Sequence, residues 1–403
     1  MAIGDELTSG QRVDTNSAWL SQQLGSIGIP VGFHTTVSDD LAALAAAIQI
    51  ALARADVVIG TGGLGPTADD LTRQALADAT GLPLQLDEAS LTYIRHRFES
   101  RGRDMPERNQ VQAMFPEGSR IIPNPHGTAP GIDLTVPADN RESRIFFLPG
   151  VPAEMREMWD ATVRPQLIEA GFGDQVIIHH RLKCFGCGES DMERRLPDLI
   201  ERGREPSVGI TVHKATITLR VTARGKNEAE CRKAMQPTID QIHECLGSIV
   251  YGEEDDEIQD SVIRLLASRN ETLSTVELGT PGVLARWLRE SDAEGRCYTG
   301  GLVLPRLQNG EGDTEDADHL LESQLLDAAK QSRIQNPATY GLAVGPINME
   351  RARDPDARLW LGLATPDDSV AVAVRFAGHP DIIMERSAKQ ALDLLRQRLL
   401  KTS

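Results

Sequence analysis

The sequence is short of basic and of aromatic residues. It has 42 Lys and Arg against 59 Asp and Glu, a formal net charge of −17 and an aromatic content of 4%. This charge repels phosphate backbones and anionic lipids, which disfavours general binding to nucleic acid or to a membrane surface. A phosphorylated ligand of such a protein needs backbone N–H groups and a metal cation to hold it.

Cysteines and long apolar runs are also scarce. The five cysteines are odd in number and too few for a disulfide framework, and no run of about 18 apolar residues could span a membrane. Residues 1–6 lack the basic region and apolar core of a signal peptide. We therefore expect a cytoplasmic protein. Cys184 and Cys187 form one Cys-x-x-Cys pair without a second pair, so we interpret them as structural rather than zinc-binding.

Residues 1–167 alternate short apolar runs with helical stretches. Predicted strands cover residues 29–33, 56–60 and 144–148, and predicted helices cover residues 17–24, 41–53, 69–80 and 153–170. The last two strands are apolar without alternation, as buried parallel strands are. This pattern predicts an α/β domain with a parallel sheet and helices on both faces.

The remaining sequence predicts two more domains: a small α+β domain at 168–252 and an α/β domain at 258–403. Strands are predicted at 176–183, 215–223, 272–276, 301–304, 339–344, 359–364 and 370–376, and helices at 190–202, 228–246 and 382–400. The acidic run 253–257 indicates a linker or the start of a helix. Residues 309–318 indicate an exposed acidic loop. The fold class is therefore α/β, in a three-domain chain.

A glycine-rich segment follows the strand predicted at 56–60 and leads into a helix. Its candidate ligand-binding residues are Thr61, Gly62, Gly63, Gly65 and Thr72. Glycines let backbone N–H groups approach an anion, and a helix N-terminus adds free N–H groups and a positive dipole end. These features indicate a phosphate or pyrophosphate site. A turn that only connects strand to helix is the alternative, and the loop alone does not decide between them.

Carboxylates follow a first strand expected at the N-terminus and the strands predicted at 29–33 and 56–60, so we expect them at one edge of the sheet. They are Asp5 and Glu6 after Gly4, then Asp39 and Asp40, then Asp69 and Asp70. Carboxylates beside a phosphate repel it unless a divalent cation bridges them, and we expect this cation to be Mg²⁺. Aspartate is also a common helix N-cap. We expect one member of each aspartate pair to cap a helix, and we assign Asp39 and Asp70 to catalysis and metal binding.

Two further loops contain turn residues. Residues 124–131 include Asn124, Gly127 and Thr128, whose polar groups and small size suit contact with a base or ribose. A structural turn is the alternative, and spacing alone favours it. Gly150 lies between a predicted strand and a helix, on the same expected edge of the sheet as the glycine-rich segment.

Residues 3–167 resemble the N-terminal domain of the CinA family, the competence/damage-inducible proteins, which is related to the molybdopterin-binding MogA and MoaB proteins. The matching strings are Ile3–Leu7, Ser9–Gly10, Asp14–Ser17, Thr61–Thr67, Asp69–Thr72, Asn124 with Gly127–Gly131, and Leu148–Pro152. Gly186, Gly188–Ser190 and Leu219–Arg220 resemble the family's middle domain. Family members usually have more residues before the Ile-Gly-Asp string, so the first strand is either shortened here or begins upstream.

The resemblance implies a MogA/MoaB-like sheet domain that hydrolyses the pyrophosphate of ADP-ribose, or of a related nucleotide, with Mg²⁺ or Co²⁺. Asp70 matches an aspartate important in the related proteins, and Asp39 matches a second one less closely. A homodimer is also expected from the family. The alternative is a protein that binds a nucleotide or molybdopterin without turning it over.

The C-terminal domain departs from the family pattern. The family string Ala-Glu-Ser-Cys-Thr-Gly-Gly, with serine as the nucleophile of a nicotinamide mononucleotide deamidase, reads Val-Glu-Leu-Gly-Thr-Pro-Gly at 276–282. Leu278 occupies the nucleophile position and has no hydroxyl. Thr280 stands two positions away and is a poor substitute. We therefore expect a domain that keeps the fold and has lost the deamidase activity.

Overall fold

A computed structural model describes residues 1–138, 141–173, 175–196, 198–305, 315–351, 353–354, 356–376 and 379–401. The chain forms two compact units. The first contains Met1–Ile178 and Arg224–Cys231, and the second contains His179–Ala223 and Arg232–Ser403. The division into three domains at 167 and 252 stays a prediction.

The elements of the N-terminal region form a six-stranded sheet and a two-stranded one. They are β1 (Ala2–Ile3), α1 (Asp5–Thr8), α2 (Thr15–Ser26), β2 (Thr36–Val37), α3 (Leu41–Arg54), β3 (Val57–Thr61), α4 (Thr72–Thr80), β4 (Leu84–Leu86), α5 (Glu88–Glu99), β5 (Met114–Pro116), β6 (Arg120–Ile122), β7 (Gly131–Ala138), β8 (Arg141–Leu148), α6 (Pro152–Met158) and α7 (Arg164–Glu169). A 3₁₀ helix at Glu107–Ala113 precedes β5, and a π-helical turn at Trp159–Val163 joins α6 to α7.

The six-stranded sheet has the order β2-β1-β3-β8-β7-β6. Its first four strands are parallel, but β7 and β6 are antiparallel to their neighbours. The prediction of a parallel sheet is therefore correct for β1, β2, β3 and β8 and incomplete at the other edge.

Helices cover both faces of this sheet, as predicted. Phe147 of β8 packs in one core with Leu44 and Ile48 of α3. Its neighbour Phe146 packs in the opposite core with Trp159. Consecutive residues of a strand point to opposite faces, so a strand buried on both sides must be apolar at every position. That requirement explains the continuous apolar runs in β3 and β8.

The strand predicted at 29–33 is wrong. The strand in this part of the chain is β2, whose two residues pair with the two residues of β1: Ala2 with Thr36 and Ile3 with Val37. Residues 29–33 have no Cα partner in β1, which is only two residues long, so their β-type composition has no strand to pair with. A cavity of about 480 Å³ lies between residues 28–35 and β3, and none of the predicted site residues is among its described lining residues.

The rest of the chain forms a four-stranded and a five-stranded sheet. The elements are β9 (Val176–Cys184), α8 (Glu189–Arg195), β10 (Ser207–His213), β11 (Thr216–Gly225), α9 (Glu228–Leu246), β12 (Val250–Glu253), α10 (Ile258–Arg269), β13 (Leu273–Glu277), α11 (Val283–Ser291), β14 (Tyr298–Val303), α12 (Glu315–Gln335), β15 (Tyr340–Val344), β16 (Arg358–Ala364), β17 (Ser369–Arg375) and α13 (Pro380–Lys401). The strand orders are β10-β11-β9-β12 and β14-β13-β15-β16-β17.

Several predictions for this region need correction. Strands β10 and β12 were not predicted, and α8 ends at Arg195 rather than 202 because a proline at 197 disfavours a helical residue before it. The acidic run 253–257 does start a helix: Glu257 caps α10 in a capping box with Asp260. Of the predicted acidic loop, residues 309–314 lie outside the described residues, whereas 315–318 begin α12.

Candidate functional site

The carboxyl ends of β1, β2, β3 and β8 meet at one edge of the first sheet, as the sequence predicts. The N–H of Gly4 donates to Val37 O at 3.0 Å, and the N–H of Gly62 donates to Leu148 O at 3.1 Å. Gly150 lies beside Gly62, since a Cβ placed on Gly150 would lie 3.5 Å from the Cα of Gly62. The segments that follow these strands therefore form one surface.

The glycine loop, residues 61–67, has a conformation that side chains oppose. Gly62 and Gly63 have φ values of 106° and 64°, in the left-handed region that favours glycine. A Cβ on Gly63 would lie 2.2 Å from Thr72 Oγ1, and a Cβ on Gly62 would lie 2.5 Å from Ile3 O. These glycines are required by backbone conformation and by close packing against the neighbouring segments.

The carbonyl groups of the glycine loop point toward α4. Thr72 Oγ1 donates to Gly62 O at 2.9 Å, and Thr72 N donates to Gly63 O at 3.2 Å. Among the residues that the structure describes, the N–H groups of Gly63 and Leu64 donate to no acceptor. Two consecutive free N–H groups are a suitable environment for an anion. Thr61 is buried at the end of β3, and its N–H donates to Met1 O.

The Asp70 carboxylate holds the last part of the glycine loop, from Gly65 to Thr67. Its carboxylate accepts hydrogen bonds from Gly65 N at 2.7 Å, from Thr67 N at 2.9 Å and from the Thr67 hydroxyl. Helix α4 begins at Thr72 with Leu71 as N-cap and no side-chain cap. The expectation that one of Asp69 and Asp70 caps this helix is therefore wrong, since the loop rather than the helix takes the Asp70 carboxylate.

Asp39 and Asp5 form a second feature of this edge. The N–H of Asp5 donates to Asp39 Oδ2 at 2.9 Å, and the N–H of Asp39 donates to Asp5 Oδ1 at 3.1 Å. Burial raises the pKa of the Asp39 carboxyl, and the negative charges of Asp5, Glu6 and Asp69 raise it further, while the hydrogen bond from Asp5 lowers it. Asp40 caps α3 by accepting from Ala43 N at 2.8 Å, as expected for one member of that pair.

The Asp5 and Asp39 carboxylates supply only part of the coordination shell that a hard cation such as Mg²⁺ needs. In the described part of the chain, no group of three or more His, Cys, Asp or Glu side chains is placed to hold a metal ion. Mg²⁺ is commonly bound by one or two carboxylates together with water and substrate phosphate oxygens. Asp5 and Asp39 supply that type of ligand, and burial together with the charges of Asp5, Glu6 and Asp69 raises the pKa of the Asp39 carboxyl. The residues therefore fit a cation shared with a phosphate ligand.

The second candidate loop, residues 124–131, is held mainly by its own polar groups. Asn124 is buried; its amide donates to Ala129 O and Glu154 Oε2 and accepts from the N–H groups of His126 and Gly127. This bonding is that of a structural turn. Gly127 and Thr128 are partly exposed and are the members of the predicted set that a ligand can reach.

Sequence reasoning assigned no functional role to Arg73, Asp69 or Asn16. Arg73 is buried behind the glycine loop, and its Nη1 donates to Leu64 O at 2.8 Å. Asp69, rather than Asp70, is the aspartate whose charge acts on Asp39. Asn16 donates to Gly150 O at 2.9 Å. The available signal for Arg73 was its position among buried helical residues, next to Thr72 and before Ala75.

In the C-terminal region, the string that departs from the family pattern forms the connection from β13 to α11. The Glu277 carboxylate is buried and accepts from Leu284 N, Ala285 N and the Thr280 hydroxyl. The Thr280 hydroxyl is fully buried and engaged, so it is not placed as a nucleophile. Leu278 supplies only a backbone N–H, which donates to Val344 O at 3.0 Å.

Comparison with known proteins defines the class of each region. Residues 1–169 match the family described as "Probable molybdopterin binding domain", and residues 179–252 match the "Damage-inducible protein CinA KH domain". A likeness to the crystal structure of the protein CinA from Thermoplasma acidophilum has 34% identity and a TM-score of 0.38, and covers 41% of this chain and 94% of that one. The family match over residues 1–169, together with the sheet described above, makes the chain an α/β protein with a MogA/MoaB-like sheet domain.

Full-length relatives identify the family. A "CinA-like protein" of Dictyoglomus thermophilum is 40% identical over 99% of this chain and 98% of the relative. Another "CinA-like protein", from Frankia casuarinae, is 35% identical, and the match covers 99% of this chain and 95% of the relative. The chain belongs to the CinA family. Over the part that the structure describes, no helix combines the length and apolar character needed to cross a membrane.

Proposed function

We propose that the first unit hydrolyses the pyrophosphate of ADP-ribose, or of a related nucleoside diphosphate, with a divalent cation. The observation that carries this proposal is the juxtaposition at one sheet edge of two free loop N–H groups with the Asp5–Asp39 carboxylate pair. The free N–H groups favour a phosphate oxygen. The carboxylates favour a cation that offsets the charge of the same phosphate.

Each residue has a defined task in this proposal. Gly63 and Leu64 bind a phosphate oxygen through their N–H groups. Asp39, with Asp5 beside it, would hold Mg²⁺ or Co²⁺, and the cation would supply positive charge to offset the charge that develops at phosphorus. Asp70 keeps the loop in its anion-binding form through Gly65 and Thr67, so catalysis depends on it.

The reaction consumes one water and breaks one phosphorus–oxygen bond. Water adds to one phosphorus of the diphosphate, the bond from that phosphorus to the bridging oxygen breaks, and a proton is released. The products from ADP-ribose are AMP and ribose 5-phosphate. Asp69 is exposed and its charge acts on Asp39, and we assign to it the orientation of the attacking water.

A second candidate is binding without turnover. Two observations favour it. Gly65 and Thr67 already engage the Asp70 carboxylate, so Asp70 needs no catalytic role. Residues 1–169 also match a molybdopterin-binding family. Incubation with ADP-ribose and Mg²⁺ or Co²⁺, followed by chromatography for AMP, separates the two. Binding of ADP-ribose in calorimetry without AMP release with either metal supports the second candidate.

We also propose that the C-terminal region has lost nicotinamide mononucleotide deamidase activity. Leu278 has no nucleophilic atom, and the Thr280 hydroxyl is buried against Glu277. We expect no ammonia release from nicotinamide mononucleotide above a protein-free control. Release that scales with protein concentration and survives repeated purification contradicts this proposal.

A further inference from the structure

Arg73 contacts both the glycine loop and the second candidate loop, residues 124–131. It lies in the first turn of α4 with 2% of its surface exposed. Its Nη1 donates to Leu64 O in the glycine loop at 2.8 Å, and its Nη2 donates to Pro130 O at the end of the second loop at 3.4 Å. One planar guanidinium therefore contacts both loops, and Pro130 lies 57 residues beyond Arg73 in the sequence.

Burying the Arg73 guanidinium costs free energy, so an apolar residue would fill a purely structural role at a lower cost. Burial lowers the pKa of Arg73 to about 10, and the negative charge of Asp70 partly opposes that effect. Within the described residues, Arg73 forms no ion pair within contact distance, and its Nε has no hydrogen-bond partner. An apolar side chain of similar length would avoid these costs.

The contacts of Arg73 continue those of Thr72. Thr72 takes the carbonyls of Gly62 and Gly63, and Arg73 takes the carbonyl of Leu64. Three successive carbonyls are thus turned inward, and the peptide N–H groups between them face the other way. Arg73 also places a positive charge behind those N–H groups, where it favours an anion in front of them.

We propose that Arg73 is a positioning residue that couples the glycine loop to the second loop, so that the site selects ligands carrying both a diphosphate and a nucleoside-like group. This inference rests on the proposed function, because it assigns the diphosphate to the glycine loop. Ordering of Leu64 by a diphosphate fixes the guanidinium, and the guanidinium then fixes Pro130 and the loop that begins at Asn124.

The test uses pyrophosphate with Mg²⁺ as a probe that lacks the nucleoside. Amide hydrogen exchange is measured on the full chain with and without the probe. We expect pyrophosphate to protect residues 61–67 and also residues 124–131. Protection of residues 61–67 alone overturns the coupling by Arg73. No protection of either loop overturns the proposed ligand class, and with it this inference.

A variant pair tests the residue itself. Arg73→Lys keeps the charge but not a fork that reaches both carbonyls. We expect it to lose the protection of 124–131 and to raise KM for ADP-ribose by ~10- to 100-fold, the range for a lost hydrogen bond from a charged donor. We expect kcat to change less than KM, because ground state and transition state lose the same contact.

Arg141→Lys is the matched control. Arg141 also donates to a backbone carbonyl, Leu52 O, and lies at the first residue of β8, away from the site. We expect wild-type exchange in both loops and a wild-type KM. Equal effects of the two variants, or an unchanged Arg73→Lys protein, contradict the inference. If Arg73→Lys does not fold, the pyrophosphate experiment on the wild-type chain still decides.

Discussion

Asp5 and Asp39 exchange backbone hydrogen bonds: the N–H of each donates to the carboxylate of the other, at 2.9 and 3.1 Å. The exchange ties the segment after β1 to the segment after β2. It also holds two carboxylates close together at the carboxyl edge of the sheet. Like charges in such positions are stabilised by a cation or by a proton, and this choice underlies the first two predictions.

We predict that Asp39→Asn abolishes stabilisation by Mg²⁺. A cation that binds only the folded protein raises its free energy of unfolding by about 1.4 kcal/mol at ten times the Kd. Thermal unfolding with and without Mg²⁺ measures this effect. Asp40→Asn is the matched control, because Asp40 caps α3 and asparagine is an equally good N-cap. An Mg²⁺ response retained in Asp39→Asn, or lost in Asp40→Asn, counts against the assignment.

The raised pKa of Asp39 predicts a specific pH dependence. Burial, followed by the charges of Asp5, Glu6 and Asp69, raises this pKa above the ordinary aspartate value of 3.8. As pH falls through the folded-state pKa, Asp39 is protonated and Mg²⁺ binding is lost, at a higher pH than for an ordinary aspartate. Without metal the sign for stability is opposite: ionisation of Asp39 as pH rises costs folding free energy.

Thermal unfolding in EDTA, compared between wild type and Asp39→Asn, checks this sign. We expect the difference in stability to favour Asp39→Asn at neutral pH and to shrink as pH falls. Addition of Mg²⁺ should reverse the order of the two proteins at neutral pH. Parallel pH profiles for the two proteins in EDTA contradict the raised pKa.

Asp70→Asn should affect the loop more than the metal. An amide retains one acceptor oxygen but replaces the other with a donor, which faces the N–H donors of Gly65 and Thr67. We expect a loss of about 1–3 kcal/mol of stability, faster hydrogen exchange at 61–67 and no turnover. Unchanged AMP release removes Asp70 from the proposed machinery. Thr80→Val, which loses a hydroxyl contact to Leu76 O at the other end of α4, should retain turnover.

Gly63→Ala should disrupt the site by collision. Gly63 and Gly81 both have left-handed φ values, 64° and 71°, so alanine carries a conformational penalty of about 1 kcal/mol at either position. Only at Gly63 does the new Cβ meet a nearby atom, Thr72 Oγ1 at 2.2 Å; Gly81 has nothing within 4 Å. We therefore expect Gly63→Ala to lose ADP-ribose binding and Gly81→Ala to keep it. Equal binding by both variants contradicts the close packing.

Much of the N-terminal fold was predictable because its signals are local. The apolar runs of β3 and β8 and the spacing in α3 indicate their elements without any partner. Residues 29–33 have β-type composition but no partner strand, since the residues of this segment that pair with β1 are Thr36 and Val37. A strand needs pairing that composition does not report, so this prediction fails where β1 is short.

The candidate site was predictable in position and less so in detail. Strand ends in a parallel sheet share an edge, which places Gly4, Asp39 and Gly62 together. Which aspartate of a pair turns inward depends on backbone geometry at single residues, and Asp69 and Asp70 differ there. Arg73 was missed because arginine is rarely buried, and its contact with Pro130 O joins parts of the chain that no short sequence window contains.

The most direct test of the central claim is AMP release from ADP-ribose by the wild-type chain and by Asp39→Asn, in Mg²⁺, in Co²⁺ and in EDTA. The account predicts equal amounts of AMP and ribose 5-phosphate from the wild type with a divalent cation, and none in EDTA or from Asp39→Asn. Absence of AMP from the wild type with either metal, or equal release by Asp39→Asn, contradicts it.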